Sequence, residues 1–123
     1  MNKRHVKLIA MVMVAILGFS ATPVFSFAVE QTGTYGPLTY SESMTDITIT
    51  DCDSSQIVGA YEIPSDINGK PVTSIGRNSF SYCSQLTEVK IPNSVETIGT
   101  RAFYNCTALS NIAIGDNVKS ILF

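Results

Sequence analysis

Apolar positions in the second half of the chain recur every 23 residues. Ile75, Ile98 and Ile121 form one column, and Val72, Val95 and Val118 another. The same step pairs Gly76 with Gly99, Phe80 with Phe103, Cys83 with Cys106, Leu86 with Leu109, Val89 with Ile112, and Ile91 with Ile114. A fixed period in this range predicts a repeat solenoid, in which one short supersecondary unit stacks on copies of itself. Such a fold presents a surface and rarely encloses a chemical site.

Within one coil, Leu86 to Pro92 reads as a short strand with Val89 and Ile91 inward and Glu88 and Lys90 outward. Pro92 ends it, lacking an N–H for the ladder. Val95 to Gly99 is a second extended piece, and Gly99 is expected to supply a positive φ at the corner. Thr100 to Cys106 is more compatible with a short helical turn that buries Phe103. The picture is of short parallel β-strands joined by short helical turns.

Upstream of residue 63 the register fades. Asp46 to Thr50 alternates polar and apolar as a half-buried strand does, and Gly59 to Ile63 reads as another. Residues 35–62 are therefore expected to be an N-terminal β cap, which covers the apolar face and strand edges of the first coil. Residues 63–123 hold about two and a half coils. The first is longer than the next, and its extra length falls in Ser65 to Pro71 around the turn signal Asn68-Gly69.

The N-terminus changes how the composition is read. Lys3, Arg4 and Lys7 precede an unbroken apolar run from Leu8 to Leu17, and Ser26-Phe27-Ala28 supplies small residues at both cleavage positions. This reads as a secretory signal peptide over 1–28, cut after Ala28. Residues 29–34 then form a flexible lead-in. After cleavage, five basic residues stand against ten acidic ones. An acidic chain without a basic cluster excludes nucleic acid and anionic membrane surfaces as expected partners. The single His, His5, lies inside the signal. Without it there is no Ser-His or Cys-His pair and little basis for a zinc site, so the chain reads as non-enzymatic, with no cofactor.

The coil pattern Leu86-x-x-Val89-x-Ile91-Pro92-x-x-Val95-x-x-Ile98-Gly99-x-x-Ala102-Phe103-x-x-Cys106-x-x-Leu109 resembles the BspA-like leucine-rich-repeat family of bacterial surface proteins. Ile67 to Gly76 is similar to the coil that opens such arrays. The likeness runs from about Ile47 to Ile121. It implies a leucine-rich-repeat solenoid, secreted or displayed at the cell surface, that contacts extracellular proteins or cell-surface ligands, and it implies no catalytic residues. The third coil departs from the pattern. Leu122-Phe123 follows Ile121 where Gly is expected, and the coil breaks off before its Phe and Cys. Either the array continues or a partner covers this uncapped coil, and self-association through it is expected.

Candidate chemistry is sparse. Cys83 and Cys106 share a column at a strand spacing of roughly 4.8 Å, close enough for a disulfide. Equivalent side chains in a stack point the same way, however, so buried thiols are favoured over a bond. Cys52, in the cap, is the odd third cysteine. Asp46, Asp51 and Asp53 lack the Gly turn and distal Glu of a calcium loop and read as solvated turn residues. What remains is surface. The outward strand positions Ala60, Glu62, Glu88, Lys90, Asn111 and Ala113 are the candidate ligand-facing residues. Tyr82 and Tyr104 join them beside the cysteine corner. The chain thus reads as an exported repeat module for protein–protein or cell-surface adhesion. The alternative is a non-catalytic targeting or spacer module at the N-terminus of a longer cell-surface protein.

Overall fold

The computed structural model describes residues 30–123. The signal peptide expected over 1–28, its His5, and Val29 of the lead-in lie outside the described residues.

The described chain runs β1 (Gln31–Tyr35), β2 (Leu38–Glu42), β3 (Ile47–Cys52), β4 (Gly59–Glu62), β5 (Asp66–Ile67), β6 (Lys70–Ile75), β7 (Leu86–Lys90), β8 (Thr97–Ile98), β9 (Asn111–Ala113) and β10 (Ser120–Ile121). One sheet has the order β1-β2-β3-β6-β8-β10, and a second has the order β4-β7-β9. Each coil crosses both sheets, so the chain is a β-solenoid whose repeats stack in parallel. Ile75 pairs with Ile98 and Ile98 with Ile121, as the 23-residue column requires.

The cap is an antiparallel meander of β1, β2 and β3. It joins the stack because β3 pairs in parallel with β6, setting Ile47 opposite Val72 and Ile49 opposite Ile75. Residues 31–34, expected within a flexible lead-in, are instead strand β1. The cause is a side-chain fit that alternation does not reveal. Gly33 lies against the Tyr40 ring, where a Cβ would collide with it. Tyr40 is 2% exposed, and its hydroxyl accepts a hydrogen bond from Asn68 Nδ2 at 2.8 Å. A buried phenol needs such a partner. That bond ties the meander to the Asn68-Gly69 turn, whose two residues both take positive φ (55° and 77°), the signature of a tight hairpin turn. The extra residues of the first coil therefore form β5 and its turn into β6, with β5 set off the main path of the sheet. Lys70 of this hairpin pairs with Glu42 of β2 at 2.9 Å.

The core is one continuous file of inward side chains. Leu38, Ile47, Ile49 and Ile57 come from the cap, and Ile63, Val72, Ile75, Phe80, Leu86, Val89, Val95 and Ile98 from the coils. Aromatic rings run through it. Phe80 stacks on Phe103 with centroids 5.3 Å apart and meets Tyr61 at 6.4 Å. Phe103 is half-buried rather than buried as expected, because burial declines along each column towards the last coil.

No helix occurs among the described residues, so the expected short helical turns are corrected to β-turns. Helical bonding fails at this corner because every second N–H group is used between coils. Asn78, Phe80 and Tyr82 donate to the carbonyls of Thr100, Ala102 and Tyr104 in the next coil, at 3.2, 2.8 and 2.8 Å. The alternation is held by left-handed residues that repeat with the period, Asn78 with Arg101 and Tyr82 with Asn105. Just before this corner, where β6, β8 and β10 end, the donors sit in the later coil. Gly76 N donates to Ile49 O at 2.7 Å, Gly99 N to Ile75 O at 2.7 Å, and Leu122 N to Ile98 O at 2.9 Å.

The role expected for Gly99 is corrected as well. It is not among the positive-φ residues. A Cβ there would sit 2.7 Å from Arg77 N and 2.8 Å from the Gly76 carbonyl carbon. The column requires Gly because successive coils approach backbone to backbone, not because the chain turns left-handed.

Candidate binding surface

The second sheet supplies the surface. Alternation along β4, β7 and β9 sends Tyr61, Val89 and Ile112 inward and leaves their neighbours outward. Parallel register then aligns the outward residues into two rows. Ala60, Glu88 and Asn111 form one, and Glu62, Lys90 and Ala113 the other. The strand-face residues expected from sequence are therefore brought together on three adjacent strands, all of them exposed.

Lys90 Nζ lies 2.8 Å from Glu62 Oε1, with both side chains more than half exposed. A pair this open contributes at most about 1 kcal/mol. Glu88 stands two residues from Lys90 on the same face, so the rows present carboxylates beside one ammonium. Ala60, Tyr61, Glu62, Glu88 and Lys90 line a shallow recess of about 260 Å³. Tyr61 was not singled out in the sequence reading. Its ring is half-buried beside Phe80, and burial pushes its hydroxyl above the ordinary tyrosine range. Its place in the column of Val89 and Ile112 marks it as inward, and only its length lets it line the recess.

Tyr82 and Tyr104 form a patch of their own at the turn corner. Their rings meet edge to face at 5.7 Å, and the Arg101 guanidinium lies 5.4 Å from the Tyr104 centroid. Arg101 joins this patch through the left-handed column, a placement the sequence spacing alone does not show.

The three aspartates do not converge. Asp53 accepts from Ser55 N, Ser55 Oγ and Gln56 Nε2 at 3.0, 2.6 and 2.6 Å, and these bonds hold its carboxyl below the usual range. Asp46 accepts from Ser43 Oγ and Thr45 Oγ1, and Asp51 from Cys52 N. Each is bonded to residues close by in sequence rather than to a shared centre.

A family model described as "BspA type Leucine rich repeat region (6 copies)" matches residues 60–122. Among solved structures, a leucine rich repeat protein of T. pallidum superposes with a TM-score of 0.66 at 31% identity, covering 72% of this chain and 41% of its own. A leucine-rich repeat protein from Bacteroides capillosus gives 0.65 at 35% identity, over 73% of this chain and 70% of its own. A leucine rich cell surface protein from Faecalibacterium prausnitzii gives 0.61 at 30% identity, over 85% and 28%. The chain thus spans less than half the length of the first and third of these. No curated protein sequence matches it.

Proposed function

The chain belongs to the BspA-type leucine-rich repeat family, and on that premise we propose that it is an exported, non-enzymatic binding module that contacts extracellular proteins or cell-surface ligands. The observation that carries this reading is the pair of rows on β4, β7 and β9. Parallel register holds exposed side chains from three coils at fixed spacing on a rigid surface, which is what a protein-binding face needs. The description of one structural relative as a cell surface protein supports placement outside the cell.

The test replaces Glu88 and Lys90 together by Ala and measures affinity for a panel of immobilised extracellular matrix proteins. Binding is expected to weaken by about tenfold or more where the face is used. Melting should stay within a few degrees, because the Lys90–Glu62 pair is exposed. Full affinity in the double variant overturns the placement.

A second reading, a spacer or targeting module in a longer cell-surface protein, is favoured by the small share of the T. pallidum and F. prausnitzii proteins that the chain spans. The size of the native product on a blot of surface and culture fractions separates the two. A species much larger than this sequence supports the spacer.

A further inference from the structure

The three cysteines lie in three successive layers of the stack, and two of them touch. Cys52 ends β3 in the cap, and its sulfur lies 3.1 Å from that of Cys83 in the first coil's corner. That separation is about 1 Å longer than a disulfide bond of roughly 2.05 Å. Cys106 has a different partner, donating from Sγ to the Phe80 carbonyl oxygen at 3.0 Å. Equivalence by period points to Cys83 and Cys106 as the pair, but the structure brings Cys83 to Cys52 instead.

We propose that Cys52 and Cys83 are a disulfide-forming pair that clips the cap to the first coil, with a disulfide-bearing oxidant as the co-reactant. The reaction balances as two thiol–disulfide exchanges. The thiolate of Cys52, the half-buried member, attacks one sulfur of the oxidant and expels the other as a thiolate. Cys83, fully buried, then attacks the Cys52 sulfur and expels the second oxidant thiolate. The two cysteine protons pass to the two leaving thiols, so one oxidant disulfide is reduced as one protein disulfide forms. Burial, with a lesser contribution from the Asp51 charge, pushes both thiols above their ordinary range. Exchange in the folded chain is accordingly slow at neutral pH and calls for mildly alkaline conditions in the test.

The clip closes the chain from Cys52 to Cys83, which contains β4 and the β5–β6 hairpin. It therefore tethers, at both of its ends, the stretch that carries the first strand of the candidate binding face. A loop of this length, once closed, is expected to raise the melting temperature by on the order of 10 °C.

The experiment takes the full chain, reduced, and equilibrates it with oxidised glutathione at mildly alkaline pH. Free thiols are then counted by maleimide labelling after denaturation. The expected product is a monomer lighter by two hydrogens, with one thiol left to label. Trypsin, cutting after Arg77, Lys90 and Arg101, places each cysteine in its own peptide. The linked peptides are expected to be those of Cys52 and Cys83, and dithiothreitol should separate them. Cys106→Ser should keep the link and leave nothing to label. Three labelled thiols after equilibration, a Cys83–Cys106 link, or a disulfide-linked dimer overturns the proposal.

Discussion

Phe80→Ala is expected to destabilise the chain by about 3–5 kcal/mol. Phe80 is fully buried and is the middle ring of the file that joins Tyr61 to Phe103. Its removal leaves a cavity where three layers of the stack meet, and neighbours fixed by inter-coil hydrogen bonds cannot collapse into it. A domain of this size holds only about 5–15 kcal/mol in total, so the loss is a large fraction of the whole. The urea midpoint should fall sharply with little change in slope. Phe103→Ala, at a half-buried position of the same column, should cost less. Equal losses at the two sites would mean that burial does not grade along the stack as described.

Gly99→Ala is expected to destabilise the chain by about 1–3 kcal/mol, the range that overpacking costs. Intrinsic preference points the other way. In extended structure at a permitted φ, Ala is favoured over Gly by about 0.5–1 kcal/mol. The sign is decided by what the new methyl meets, which is Arg77 N at 2.7 Å, the Gly76 carbonyl carbon at 2.8 Å and Ile75 O at 3.1 Å. All three are backbone atoms of the preceding coil, and none can swing aside as a side chain would. Thermal melting of the variant checks the claim. A raised midpoint would mean that the coils are not held at backbone contact.

The repeat was legible because stacking forces every coil to present the same side chain to the same neighbour. Ile75, Ile98 and Ile121 are equivalent in sequence because they pair in space. The Asn68-Gly69 turn was legible because few dipeptides tolerate two positive φ values. The strand-face residues followed from alternation, which fixes direction once a strand is placed. Three features were hidden for one physical reason, that they depend on contacts between different layers. Strand β1 rests on the fit of Gly33 to Tyr40. The corner lacks a helix because every second N–H group bonds to the next coil, which local propensity does not register. Cys52 meets Cys83 outside the 23-residue register, so no column joins them. The strand-face rows could be drawn from alternation but the recess beside them could not, because it depends on the reach of Tyr61.

The hydrogen bonds between successive coils of the solenoid run in opposite senses at neighbouring residues. Asn78, Phe80 and Tyr82 donate towards the later coil, while Gly76, Gly99 and Leu122 donate towards the earlier one. Peptide dipoles aligned with these bonds oppose each other along the stacking axis. In an α-helix they add and leave about half a charge at each end. Here a further coil contributes nearly equal and opposite components, so lengthening the array does not charge its ends. The electrostatic character of the molecule is then set by the outward side chains that each coil carries.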